Sequence, residues 1–142
     1  MSPNKLHETR QRFLCFLADI EHGYTQHHTN NNIPLLRYKI PNNSHFFERL
    51  FERTPRTDQL GSLFKKLLEN HYCEVLYLVL HKLEDIKKYE NKKFTLSISV
   101  KYKDIHIPFS VYPTSGGFWL TPLTCLKLNW ESNSDETIII NE

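Results

Sequence analysis

The stretch that decides the fold is KFTLSISVKYKDIHIPFSVYPTSGGFWLTP, residues 93–122. It opens on strict alternation. Phe94, Leu96, Ile98 and Val100 face one way; Thr95, Ser97, Ser99 and Lys101 face the other. A period of two marks a half-buried β-strand. DIHIPFSVY repeats the pattern with Ile105, Ile107, Phe109 and Val111 on one face. Pro108 has no N–H to give to a ladder, so this strand is expected at a sheet edge or with a bulge at the proline. Thr114, Ser115, Gly116 and Gly117 then supply hydroxyls and freedom for positive φ, the needs of a tight hairpin turn. GFWLT follows as a third strand, TCLKLNW as a fourth with Leu126, Leu128 and Trp130 on one face, and ETIIIN as the last. Linkers this short make an antiparallel meander the natural connection.

Upstream the period is helical. Leu6, Phe13, Phe16, Leu17, Ile20 and Tyr24 predict a helix over 4–24, with Gly23 marking its end and the polar residues 25–32 a loop. IPLLRYKIP, 33–41, reads as a short edge strand or an extended connector between prolines. Ser44 is placed to cap a short helix carrying Phe46, Phe47, Leu50 and Phe51, stopped at Pro55. An apolar stripe then runs from Leu60 to Ile86, as one helix or two with a break near Asn70–His71. EVLYLVLHKL is apolar on nearly all sides and is expected to be the most buried helix. Segregated elements of this kind predict an α+β fold. Three to four N-terminal helices should pack on one face of a C-terminal four- to five-stranded antiparallel β-meander. The 142 residues fit a single domain, 1–142, with a mainly helical part over 1–91 and the sheet over 92–142.

Composition narrows the function classes. Hydrophobic residues make up 39%, charged residues 24% and aromatics 13%, which suits a packed globule and not a disordered chain. A net charge of +2 gives no case for nucleic acid or an anionic membrane as an obligate partner. Three cysteines at unrelated spacings form no disulfide framework; Cys15 and Cys73 read as core thiols. The first residues lack an apolar signal-peptide core, and FLCFLA and VLYLVL are far short of a membrane span. A soluble, cytoplasmic protein is the expectation.

The catalytic motifs are missing. PTSGG is not a G-x-S-x-G elbow, and another strand, not a helix, follows it. No GxxxxGK[ST] and no GxGxxG occurs. His71 and Cys73, two apart on a helix, point about 200° apart and cannot share an ion. Glu21, His22, His27 and His28 make the nearest approach to a ligand cluster, but solvated histidines are far commoner, so no metal and no cofactor is expected. Cys125 with His106 is a weak candidate for nucleophilic chemistry. An enzyme of unfamiliar type would place its site near His106, Ser110, Tyr112 and Ser115.

Two binding readings remain. Residues 37–66 form the most basic window, at a net +4, with Arg37, Lys39, Arg49, Arg53, Arg56, Lys65 and Lys66. Arg49, Arg53, Arg56 and Lys65 would hold phosphates, while Tyr102, Tyr112 and Trp119 stacked on bases. The favoured reading is a small, soluble, non-catalytic protein-binding module of adaptor, inhibitor, immunity or effector type. Its contacts would come from the aromatic sheet region: Trp119, Tyr112, Phe118 and Ile139. Residues 131–142 carry a net −4 and the β-prone run IIIN, the makings of an edge strand that pairs with a partner. With Phe118 and Leu120 inward, alternation turns Trp119 outward.

Overall fold

A computed structural model describes residues 3–40, 46–48, 57–88, 94–103, 105–124, 126–127 and 134–140. Ser44, Arg49, Leu50, Phe51, Arg53, Pro55, Arg56, Cys125, Leu128 and Trp130, named above, lie outside them. In chain order the elements are helix α1 (Pro3–Asn30), strand β1 (Leu35–Tyr38), a short helical segment α2 (46–48), α3 (Thr57–Asn70) and α4 (Tyr72–Lys88). Then come β2 (Leu96–Tyr102), β3 (Ile105–Thr114), β4 (Gly117–Pro122), β5 (Leu126–Lys127) and β6 (Glu136–Ile139). The fold is α+β, with the helices largely before the sheet.

The sheet is mixed, and here the structure corrects the expected antiparallel meander. Its order is β1-β4-β3-β2-β6, with β5 beside the start of β3. The β2-β3-β4 centre is antiparallel, as the alternation predicts. Both flanking strands are parallel to their neighbours: β1 runs with β4 from Leu35↔Gly117 to Tyr38↔Leu120, and β6 with β2 from Ile98↔Glu136 to Lys101↔Ile139. Hairpin logic cannot foresee either pairing, because each joins segments far apart in sequence.

Pro108 shows how a proline enters a central strand. β3 lies between β2 and β4, not at an edge. The Pro108 carbonyl accepts the Leu123 N–H at 2.9 Å, so residue 108 turns its peptide groups toward β4 and leaves the β2 ladder intact. On the β4 side the register slips by one residue between Phe109↔Pro122 and His106↔Leu126. That slip is a bulge opposite the missing donor.

One sheet face carries the core. Leu36 and Tyr38, Phe118 and Leu120, Ile105, Ile107, Phe109 and Val111, Leu96, Ile98, Val100 and Tyr102, and Ile138 are all buried against the helices. Phe64 of α3 is the hub. Its ring meets Phe13 of α1 at 5.1 Å, Phe46 of α2 at 6.0 Å, Tyr38 of β1 at 4.6 Å and Phe109 of β3 at 5.5 Å, each in the edge-to-face geometry that aromatic quadrupoles favour.

The helices differ from expectation in three ways. First, α1 runs through Gly23 to Asn30. Tyr24, Thr25 and His28, read as helix end and loop, find partners that outweigh the cost of one helical glycine. The stop comes later: Asn32 takes φ 56°, its N–H reaches the Thr29 carbonyl, and the Ile33 N–H reaches that of His28, which is a Schellman cap. Second, α3 rather than α4 is the most buried helix. Leu60, Leu63, Phe64, Leu67 and Leu68 are all inside, whereas Tyr77 of α4 is 67% exposed. The break falls at His71, as predicted. Third, Cys15 and Cys73 are exposed, not core thiols. Each sits on the helix side turned away from its buried stripe.

The two adjacent glycines have different tasks. Gly116 takes φ +81° in the β3–β4 turn. Gly117 has its constraint elsewhere: a Cβ there would stand 1.9 Å from the Leu35 carbonyl oxygen, so only glycine lets β1 lie against β4. We expect Gly117→Ala to cost about 3 kcal/mol or more, since backbone cannot give way as a side chain does. Gly116→Ala should cost about 1–2 kcal/mol through its φ alone. Gly23→Ala should gain about 0.5–1 kcal/mol, because a Cβ there meets nothing within 4 Å and the residue is helical. Urea unfolding of the three variants measures this order.

Candidate functional site

Strand alternation leaves a second sheet face turned away from the helices. At its β1-β4-β3 corner, Arg37, Trp119 and Tyr112 stand side by side in register. The Arg37 guanidinium lies 4.7 Å from the Trp119 ring centroid, and the Lys39 ammonium 5.6 Å from it. Such cation–π contacts contribute about 0.5–1 kcal/mol each at exposed sites. Tyr112 is tied to the next row by a 3.2 Å hydrogen bond from the Thr121 hydroxyl. Trp119 is partly exposed, with its ring flanked by two cations and an aromatic neighbour.

Away from that corner the same face is polar and closed. Ser99 Oγ and His106 Nδ1 lie 3.2 Å apart, and both residues are buried. At the far side Ile139 of β6 pairs in register with Lys101 and is 59% exposed. Trp119 and Ile139 thus share a face but occupy opposite corners, with β3 and β2 between their strands.

The two sheet edges are built differently. On β1, every outward peptide group of Leu36 is taken by a side chain. The Tyr72 hydroxyl accepts the Leu36 N–H at 2.8 Å and donates to the Pro34 carbonyl at 2.7 Å; the Tyr24 hydroxyl donates to the Leu36 carbonyl. Glu21 Oε1 accepts the Tyr38 N–H at 2.8 Å. The Tyr24, Tyr72 and His28 rings pack edge to face or tilted beside this strand, 4.6–5.4 Å apart. Burial pushes the Tyr72 hydroxyl up to about 12, partly opposed by the Leu36 N–H. Burial also raises the Glu21 carboxyl above its ordinary value, against the pull of the Tyr38 N–H and of Arg37. Desolvation, and then the neighbouring His27, lower His28. On β6 the start of the strand is clamped: the Asp135 carboxylate accepts the Ser97 N–H at 2.8 Å, and the Asp135 N–H returns to the Ser97 carbonyl at 3.0 Å.

The residues singled out from sequence distribute as follows. Trp119 and Tyr112 meet at one corner of the open face, and Ile139 lies at another. Phe118 faces the core, buried against Phe94 at 6.0 Å. Tyr102, considered as a base-stacking residue, is likewise on the core face and buried, with Lys66 over its ring. Lys65 is exposed and 3.9 Å from Glu69. His106 and Ser115 sit at opposite ends of β3, roughly 30 Å apart at strand rise, and do not converge. Glu21, His22, His27 and His28 all fall on α1, and no group of three or more metal-ligating side chains occurs among the described residues. No described helix is long and apolar enough to cross a membrane. Sequence reasoning missed the pairing of Arg37 and Lys39 with Trp119, and the Glu21–Tyr24–Tyr72 plug. Their one sequence signal was the polar-apolar alternation LLRYK between two prolines.

Against known proteins, the chain matches no family model, no curated protein and no solved structure.

Glu21 yields a prediction with a definite sign. Its folded carboxyl binds protons more tightly than the unfolded one, so ionisation opposes folding as pH rises through the window above 4.5. Glu21→Gln keeps an acceptor for the Tyr38 N–H and removes that charge. It should match or exceed wild-type stability at pH 7, and its advantage should shrink toward pH 4. Glu21→Ala orphans the Tyr38 N–H and should cost about 1–3 kcal/mol at either pH. Unfolding midpoints at the two pH values check both.

Proposed function

We propose that this chain is a small non-catalytic protein-binding module, of adaptor, inhibitor, immunity or effector type. Its contact surface is the β1-β4-β3 corner of the sheet face turned away from the helices. The observation that carries the reading is Trp119, turned outward with Arg37 4.7 Å and Lys39 5.6 Å from its ring and Tyr112 beside it. Trp, Tyr and Arg are the residue types that dominate binding energy at protein interfaces. They stand here on strands of a rigid sheet, so little conformational entropy is lost when a partner docks. Two cations and two aromatic rings complement an acidic segment that also carries an apolar or aromatic side chain.

A second reading draws on the same contacts. Arg37 and Lys39 open the basic 37–66 window, and an exposed ring between cations is also a platform for stacking a nucleotide base beside its phosphate. Salt separates the two. Oligothymidine binding should weaken steeply as salt rises, and no gel shift at ~50 mM salt discards nucleic acid.

The protein-binding reading is tested by affinity capture from the native host, with wild type, Trp119→Ala and Arg37→Ala run in parallel. We expect one partner to be lost with Trp119→Ala, at about 2 kcal/mol or more of binding energy, and weakened with Arg37→Ala. Trp119 lies outside the core, so the variant should stay folded, losing no more than about 1–2 kcal/mol with its two cation–π contacts. Retention of every partner by Trp119→Ala removes this corner as the interface.

A further inference from the structure

We infer that the Arg37–Trp119–Lys39 corner is a carboxylate seat, which takes an extended acidic segment of a partner protein with its acidic side chains at alternate positions. The segment lies over the sheet face and does not join the sheet as a strand. The inference rests on the protein-binding reading of this corner and fixes the spacing and approach of what binds there.

Approach follows from the edge. β1 is the outer strand at this corner, and an outer strand offers its backbone to a further one. Here that backbone is already taken. Tyr72 accepts the Leu36 N–H, Tyr24 donates to the Leu36 carbonyl, and Glu21 accepts the Tyr38 N–H. A partner therefore reaches the corner from above the face, through side chains.

Charge follows from Arg37 and Lys39. Among the described residues, neither cation has a hydrogen bond or an ion pair; their contacts are with the Trp119 ring. The Arg37 Nε is buried and unpaired. Glu21 attracts the guanidinium, but its carboxylate is bound to the Tyr38 N–H at 2.8 Å and forms no ion pair with it. Arg37 is thus a cation drawn partly out of water, held against an indole, with no counter-ion in contact. Such a charge attracts an anion more strongly than a fully solvated one does. A guanidinium also matches the two oxygens of a carboxylate.

Spacing follows from the strand. Residues 37 and 39 alternate on β1, so their side chains leave the sheet about 7 Å apart. Alternate side chains of an extended segment repeat at the same distance. Acids at i and i+2 can meet Arg37 and Lys39 together, whereas adjacent acids point to opposite sides. Tyr112 adds a donor: its oxygen accepts the Thr121 hydroxyl, which leaves its own proton for a partner's oxygen.

The probe is a capped peptide of about eight residues alternating Glu and Thr. Its control is an isomer with the same residues in adjacent pairs, Glu-Glu-Thr-Thr repeated. Each is titrated into the ¹⁵N-labelled full chain at ~50 mM salt. We expect shifts at the Trp119 indole N–H and the amides of residues 37–39, with a Kd below ~1 mM that rises with salt. The isomer should bind at least about fivefold more weakly. Arg37→Gln should weaken the alternating peptide at least about tenfold, and Lys39→Gln about threefold, with the rest of the amide spectrum unchanged. Lys65→Gln, on α3 at the helix side of the sheet, should bind like wild type. Equal binding of the two isomers reduces the attraction to net charge and overturns the inference. Absence of shifts at ~1 mM peptide, or full binding by Arg37→Gln, overturns it too. If host capture still loses its partner with Trp119→Ala in that case, the protein-binding reading stands with a partner of other chemistry. Oligothymidine displacing the peptide from the same resonances at lower concentration gives the corner to nucleic acid and overturns both.

Discussion

Between Gly117 and the backbone of Leu35 there is no room for a side chain. Everything particular to this molecule depends on that contact. It lets β1 lie parallel against β4, and β1 is the piece of the helical half that enters the sheet. Through β1, Tyr38 reaches the aromatic hub at Phe64, and its hydroxyl bonds the Phe64 carbonyl at 2.7 Å. Through β1, Arg37 and Lys39 reach Trp119. A single missing Cβ thus joins the two halves and assembles the open-face corner.

The same strand shows how a sheet edge can be closed with ordinary side chains. Two hydroxyls and a carboxylate meet the outward groups of Leu36 and Tyr38, and the rings that carry the hydroxyls also shield them. The cost falls on Glu21, a charge held partly out of water. On the sheet face turned away from the helices, Ser99, His106 and Thr121 are themselves buried, and Trp119 stands partly exposed beside them.

The alternation of Phe94 to Val100 and of Ile105 to Val111 was enough to place the central strands, their faces and the outward turn of Trp119. A period of two is a local property, and it survives folding. The parallel strands left no local mark, because parallel pairing needs a crossover and the partner lies elsewhere in the chain. Helix burial departs from the sequence expectation for a related reason. The composition of EVLYLVLHKL shows that α4 is apolar, but not that its neighbours cover only one side of it. Propensity alone marks Gly23 as a stop, and tertiary contacts of Tyr24 and His28 override it. At the candidate site, the aromatic members were legible and their cationic neighbours were not, since Arg37 and Trp119 meet only through β1.

Leu35 and Gly117 are 82 residues apart, and no part of the β1–β4 ladder can form until both segments exist. The helices before residue 90 and the three-stranded centre each contain their own local pairings, so each can organise early. Joining them requires closing one very long loop, an entropic toll that slows the rate-limiting step of high-contact-order folds. During synthesis the first half leaves the ribosome with the apolar side of β1 and the ring of Phe64 still lacking the sheet. Until the last strands emerge, that apolar surface has no sheet to pack against, which is the condition under which aggregation competes with folding.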